Sequence, residues 1–130
     1  VGPAPRDRPL PEATCVVPYA TYHLLFPRAA AIVTHGGAGT TGETLKSGRP
    51  SVVCPLAFDQ FGLAWQVAAL GTGVRVPKKG RSRATILEAL RTACEDETVQ
   101  ARAAEVAAEL RGAPDGAAVA AELIIGLARS

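Results

Sequence analysis

The sequence predicts an α/β domain in which a Rossmann-like parallel sheet carries helices on both faces. Two short apolar segments, 30–34 and 51–54, lack alternation of polar and apolar residues, which is typical of strands buried on both sides. Each is followed by a helix-forming segment, at 39–47 and at 60–70, so strands and helices alternate as in right-handed βαβ units. Sheets of this kind bind ligands at the carboxyl ends of their strands.

Shorter elements complete the predicted fold. Residues 15–17 are interpreted as a strand that ends at Pro18, residues 22–28 as a short helix, and residues 74–76 as a last strand. Apolar stripes with helical spacing then predict a helical C-terminus with helices at 84–95, 97–111 and 117–128. The apolar residues of the last helix require a surface to cover, and this surface is expected on or beside the sheet or outside the chain.

Composition excludes several classes of function. A net charge of +2 and an aromatic content of 5% argue against a nucleic-acid partner. No apolar run approaches the length of a transmembrane helix, so no transmembrane segment is predicted. Cys15, Cys54 and Cys94 are odd in number and widely spaced, which favours reduced thiols and predicts a cytoplasmic protein.

The ends of the sequence indicate a piece of a longer polypeptide. Methionine is absent from all 130 residues, including the first. Four prolines in the opening segment predict a loop or linker over residues 1–12, and the organised domain is expected over residues 13–130.

A glycine-rich segment after the strand at 30–34 predicts an anion site. His35 is followed by Gly37, Gly39, Thr40 and Thr41 where the predicted helix begins. The first backbone amides of a helix have no intrahelical partner, and the helix dipole adds partial positive charge there. Glycines let the chain approach a ligand closely, while the threonine hydroxyls and the imidazole add donors. The segment therefore predicts a phosphate-binding turn.

Two alternatives remain open for this turn. Residues 37–42 are a literal G-x-G-x-x-G, and Asp59 follows at about the separation at which a dinucleotide fold places its ribose-binding acid. Against that alternative, Asp59 lies beyond Pro55 and opens a helix, instead of ending the next strand. The second alternative is a glycine turn without any ligand. A nucleoside-triphosphate P-loop is not supported, because no G-x-x-x-x-G-K-[ST] occurs.

A wider set of residues gives a family resemblance. His35 and Gly37 form a His-x-Gly, Glu43 follows His35 by eight residues, and Asp59-Gln60 comes after the next strand. Together these elements resemble the C-terminal signature of GT-B fold glycosyltransferases, in the nucleotide-sugar-dependent family of macrolide, sterol and plant secondary-metabolite enzymes. The resemblance covers roughly residues 14–128, which correspond to half of a GT-B C-terminal domain.

The resemblance implies a role for each matching residue. It assigns the donor diphosphate to the turn formed by His35, Gly37, Gly39, Thr40 and Thr41. It assigns the ribose hydroxyls to Glu43, the hydroxyls of the transferred sugar to Asp59 and Gln60, and the nucleotide base to the segment containing Val17 and Tyr19. Plant members carry an asparagine where this chain has Leu63, so a contact at that point is not implied.

The implied activity is an inverting, metal-independent transfer from a UDP-sugar or TDP-sugar to a hydroxyl of a small molecule or lipid. No further cofactor is implied, and no D-x-D metal motif occurs. The family places the catalytic base and the acceptor pocket in an N-terminal domain that this chain lacks. We therefore expect a donor-binding half that is inactive alone. The competing interpretation is a nucleotide-binding or dinucleotide-binding module without transferase activity.

Structural roles are the alternative for individual residues. Glu43 would be favourable in the first turn of any helix, and Asp59 could cap the helix that follows it. Trp65 and Cys54 are expected to pack in the core. The basic run that ends the sheet region is expected to be a solvated loop, and it comprises Lys78, Lys79, Arg81 and Arg83.

Overall fold

The computed structural model describes residues 11–129, which form a parallel sheet with helices around it. Its strands, in spatial order, are β1 (Ile32–Thr34), β2 (Ser51–Val53) and β3 (Gly73–Arg75). The first helix, α1 (Tyr22–Leu25), continues into a 3₁₀ turn at Phe26–Arg28. The longer helices are α2 (Ala38–Ser47), α3 (Gln60–Ala69), α4 (Arg83–Glu95), α5 (Glu97–Gly112) and α6 (Gly116–Arg129).

The central strand β2 contributes buried side chains to the hydrophobic clusters on both faces of the sheet. Val52 and Val53 are 0% and 1% exposed, and successive strand residues point to opposite faces. Val52 packs in a cluster that includes Ala89 of α4, whereas Val53 packs with Ala64 and Val67 of α3. Helices therefore cover both faces, as the sequence predicts.

The helix after the glycine turn ends where the sequence predicts. Gly48 adopts a left-handed conformation, with φ of 71°, and its amide donates to the carbonyl of Leu45. A Cβ at Gly48 would lie 3.3 Å from the Cβ of Ala107, so α2 and α5 approach closely there. A side chain at this position would be strained by the backbone and crowded by α5.

The C-terminal helices begin at well-formed caps. The Ser82 hydroxyl accepts from the amide of Thr85, and the Thr85 hydroxyl accepts from the amide of Ser82, which closes a capping box before α4. The Asp96 carboxylate accepts from Thr98 and Val99 at the start of α5. The predicted helices 84–95 and 97–111 are thus confirmed to within one residue.

The predicted strand at 15–17 is wrong. These residues have no regular structure, and Val16 and Val17 are 57% and 50% exposed. Three apolar residues form a strand only when a neighbouring strand pairs with them, and no described strand lies beside this segment. Of the linker predicted at 1–12, residues 1–10 lie outside the described part of the chain.

Some predicted burial is also wrong. Val33 in β1 is 52% exposed, because α4 packs mainly against β2 and β3 and leaves this side chain largely uncovered. Trp65 is 63% exposed rather than core, since Ala64 and Val67 are the residues of α3 that face the sheet. Helix α6 forms as predicted but buries none of its residues. Among residues 11–129, no helix is long and apolar enough to cross a membrane.

Candidate functional site

The site begins where β1 leads into α2. Gly37 is the N-cap of α2, with extended backbone and no side chain capping the helix. The first intrahelical bond runs from the amide of Thr41 to the carbonyl of Gly37. In the described structure the amides at residues 38–40 have no backbone or side-chain acceptor. Free amide donors and the positive end of the helix dipole favour negative charge at such a helix start.

The imidazole of His35 lies beside this helix end. A Cβ on Gly37 would lie 2.9 Å from Nε2 of His35, so the ring occupies the space that a side chain at position 37 would need. His35 is itself exposed to solvent. The arrangement places a ring nitrogen of His35 close to the first turn of α2, where both kinds of group offer hydrogen-bond donors.

Gly36 makes the turn possible. Its φ is +87°, which disfavours every residue with a Cβ, and its amide donates to Oγ1 of Thr34 at 3.2 Å. A Cβ there would come within 2.7 Å of Cγ1 of Val53 and within 3.4 Å of the carbonyl oxygen of Gln60. The turn is therefore packed between β2 and the start of α3, which fixes His35 relative to the neighbouring loop.

The two threonines of the turn differ in exposure. Thr40 lines a cleft of about 720 Å³ together with Thr34, His35 and Arg81. The apolar part of this cleft runs along β1 and is formed by Tyr22, Phe26, Ile32, Val33, Cys54 and Leu56. Thr41 is 5% exposed, and its hydroxyl is buried without a hydrogen-bond partner in the described residues. Thr40 is thus at the cleft surface, whereas Thr41 does not line the cleft.

Glu43 lies with the segment assigned to the base. It lines a second cleft of about 650 Å³ that also includes Val17 and Tyr19. Tyr22 lines both clefts, so they meet at this side chain. Glu43 forms an i,i+3 pair with Lys46 at 3.7 Å on the half-exposed surface of α2. Because it is the sixth residue of α2, the first-turn explanation for this carboxylate does not apply.

Asp59 and Gln60 lie at the start of α3. The side-chain oxygen of Gln60 accepts from the amides of Leu56 at 2.9 Å and Ala57 at 3.1 Å, which holds the loop at 55–59 against the helix. Asp59 is exposed and makes no capping bond, so the capping explanation for it is not supported. Neither residue lines the two clefts. The backbone carbonyl of Gln60 lies close to Gly36, so the start of α3 is adjacent to the glycine turn.

Sequence reasoning missed Arg81. The sequence predicts a solvated loop at this position, but Arg81 is half-buried and lines the cleft with His35. Its Nη2 donates to the carbonyls of Pro55 and Val76 at 2.7 and 3.0 Å. No local pattern distinguishes it from Lys78, Lys79 and Arg83, which are all exposed. Cys54, in contrast, packs against the core cluster of Val52 as expected.

The fold and the turn define part of a Rossmann-like domain in which a helix begins, with its first amides free, at the carboxyl edge of a parallel sheet. Comparisons with known proteins identify the family. Residues 3–125 match the family described as erythromycin biosynthesis protein CIII-like, C-terminal domain. The chain belongs to this family.

Named relatives and solved structures agree with this assignment. The chain is 42% identical over 104 residues to a vancomycin aglycone glucosyltransferase of Amycolatopsis orientalis, covering 80% of the chain and 25% of that protein. It is 38% identical over 103 residues to a sterol 3-beta-glucosyltransferase of Yarrowia lipolytica, covering 79% of the chain and 7% of that protein. A crystal structure of glycosyltransferase VinC in complex with DTDP superposes with a TM-score of 0.83 at 25% identity, covering 94% of this chain and 31% of that one.

These comparisons confirm the predicted fold class and family. The similar solved structures are GT-B glycosyltransferases, and the three-stranded sheet with its helical C-terminus matches part of their C-terminal domains. The chain spans a quarter or less of the two named relatives. It therefore corresponds to a C-terminal fragment of such proteins.

Proposed function

We propose that this chain is the donor-binding part of a longer glycosyltransferase. It binds a nucleoside-diphosphate sugar, with uridine or thymidine as the base, for inverting and metal-independent transfer to a hydroxyl of a small molecule or lipid. The observation that carries the proposal is the His35 ring beside Gly37, the N-cap of α2, at a cleft of about 720 Å³.

The chemistry of glycosyl transfer requires what this turn offers. Breaking the bond between the sugar and the β-phosphate leaves additional negative charge on the departing diphosphate. Preorganised donors stabilise that charge without reorganisation during the reaction. The free amides at the start of α2 and the His35 ring are such donors, and each charge-assisted bond contributes about 1.5–3 kcal/mol.

The nucleoside is proposed to occupy the second cleft. Glu43 would accept hydrogen bonds from the ribose hydroxyls, and the segment with Val17 and Tyr19 would lie beneath the base. Two observations support this placement of the nucleoside. Glu43, Val17 and Tyr19 line one cleft, and Tyr22 lines both this cleft and the one proposed for the diphosphate. Tyr22 also stacks on Phe26 with ring centroids 4.5 Å apart, which stabilises the wall between the two clefts.

The transferred sugar is proposed to contact Asp59 and Gln60. Support comes from the exposed Asp59 carboxylate, which caps no helix. It also comes from the Gln60 side chain, whose oxygen accepts from loop amides while its NH₂ group makes no bond within residues 11–129. Hydroxyl groups of a hexose are suitable partners for a carboxylate and an amide NH₂.

The similar proteins support proposals for the acceptor and for the donor class. Two of them are named for transfer to a vancomycin aglycone and to a sterol, which supports a small-molecule or lipid acceptor. A thymidine diphosphate in one similar structure supports the donor class. The catalytic base and the acceptor pocket would be supplied by an N-terminal domain, so this chain alone would be inactive. We also propose a cytoplasmic location, supported by three free, widely spaced cysteines.

Calorimetry on the 130-residue chain tests the diphosphate assignment. UDP or TDP should bind more tightly than the corresponding monophosphate, because the β-phosphate is the group that we propose to bind at the start of α2. His35→Ala should weaken diphosphate binding by about 1.5–3 kcal/mol and monophosphate binding less. His23→Ala is the matched control, and it should leave the ratio of the two affinities unchanged. Equal binding of mono- and diphosphate, with no effect of His35→Ala, would contradict the proposal.

A further inference from the structure

Arg81 is held in a fixed orientation at the carboxyl edge of the sheet. It lies in the loop between β3 and α4, and its Nη2 donates to two carbonyls, those of Pro55 and Val76, at 2.7 and 3.0 Å. Pro55 lies just beyond β2, and Val76 directly follows β3. These two bonds therefore fix the guanidinium across the ends of adjacent strands.

Among residues 11–129, the charge of this guanidinium has no acidic partner. Arg81 forms no ion pair within residues 11–129, whereas Arg102 and Lys46 each pair with glutamates. Its Nε is buried and has no hydrogen-bond acceptor in the same residues, and Nη1 makes no bond there either. A partly buried cation without a counter-charge is unfavourable. An anion that enters the cleft would supply the missing counter-charge.

Arg81 and the phosphate-binding turn border the same cleft. Arg81 lines the same cleft as His35 and Thr40. Strands in a sheet lie about 4.8 Å apart, so the ends of β2 and β3 are roughly 5–10 Å from the end of β1, where His35 begins the turn. A ligand at the start of α2 that extends across the strand ends would therefore reach the guanidinium.

We propose that Arg81 is a second cationic ligand of the donor diphosphate, opposite the N-terminus of α2. This inference rests on the proposed function, since it assigns a further contact for the same ligand. The bonds from Nη2 orient the guanidinium before the ligand arrives, which lowers the cost of ordering a long side chain on binding. Nη1, which makes no bond within residues 11–129 and is not buried, then carries donors for phosphate oxygens.

Three variants of the chain test the assignment by calorimetry with UDP, UMP and inorganic pyrophosphate. Arg81→Gln removes the charge and should weaken UDP and pyrophosphate roughly tenfold to a hundredfold, with a smaller effect on UMP. Arg81→Lys keeps the charge and should lose clearly less than Arg81→Gln. Arg83→Gln is the matched control, because it removes the same charge from an exposed residue of the same segment and should leave all three affinities unchanged.

The outcomes separate this inference from the proposed function. If the unaltered chain binds UDP but Arg81→Gln and Arg83→Gln bind it equally, Arg81 only holds the loop and the inference is wrong. An equal loss in Arg81→Lys and Arg81→Gln would also overturn it, because charge would not be the cause. If the unaltered chain binds neither UDP nor TDP, the proposed function fails first. Circular dichroism of each variant establishes that folding is retained, and Arg81→Lys carries the test if Arg81→Gln does not fold.

Discussion

Replacing Gly39 with alanine should raise stability and lower diphosphate affinity. Gly39 is the second residue of α2, and a Cβ there would meet nothing within 4 Å. Alanine in a helix is favoured over glycine by about 0.5–1 kcal/mol, so the free energy of unfolding should increase by that amount. The new Cβ tilts toward the helix N-terminus, into the space assigned to the diphosphate. Losing one charge-assisted bond there would weaken UDP or TDP by about 1.5–3 kcal/mol.

Gly42→Ala is the matched control for this prediction. Gly42 lies on the same helix, and a Cβ there would also meet nothing within 4 Å. It lies about 4.5 Å further along the helix axis, away from the proposed phosphate. It should show the same gain in stability with nearly unchanged affinity. Urea unfolding gives the free energies of unfolding, and calorimetry gives the affinities. A Gly39→Ala chain that is stabilised yet binds diphosphate normally would refute the assignment of phosphate to the start of α2.

The other predictions concern the turn, the two ends of the donor and a helix cap. Gly36→Ala should destabilise the fold by about 2–4 kcal/mol in urea unfolding, because φ is +87° and Val53 is too close; a loss below about 0.5 kcal/mol would contradict this packing. In a full-length enzyme, Glu43→Ala should weaken nucleoside diphosphate and nucleotide sugar alike, whereas Asp59→Ala should preserve diphosphate affinity and reduce turnover. Loss of diphosphate binding in a folded Asp59→Ala protein would instead make Asp59 a nucleotide ligand. Ser82→Ala should cost about 1 kcal/mol of stability by thermal unfolding, and an unchanged melting temperature would show that the capping box is not needed.

The centre of the fold was predictable because its signals are local. The apolar segments of β1 and β2 are short and uninterrupted, and Gly48 followed by Pro50 ends α2 whatever surrounds it. The position of His35 beside a helix start follows from the same local sequence. These features depend on backbone conformation within a few residues, which the sequence specifies directly.

The wrong predictions depend on partners that are distant in sequence. Residues 15–17 have strand-like composition, but a strand forms only beside another strand. In the described sheet, no strand lies next to these residues. Trp65 is apolar, but its burial depends on which face of α3 meets the sheet. Arg81, unlike Arg83, is half-buried and donates to the carbonyls of Pro55 and Val76, and neither contact has a sequence signature.

Among the described strands, β1 has a neighbour on one side only, and this has a consequence for the motions of the site. The outer residues of β1 direct their amide and carbonyl groups toward β2, as the bonds from Ile32 to Pro50 and from Cys54 to Thr34 indicate, whereas those of Val33 point away from it. Amide hydrogens of β2 should therefore exchange with solvent slowly and that of Val33 quickly. The turn that holds His35 is attached to this weakly protected strand, so a bound anion would order the strand as well as the turn. Ligand binding would then slow hydrogen exchange at the amide of Val33, because the same equilibrium governs binding and local unfolding.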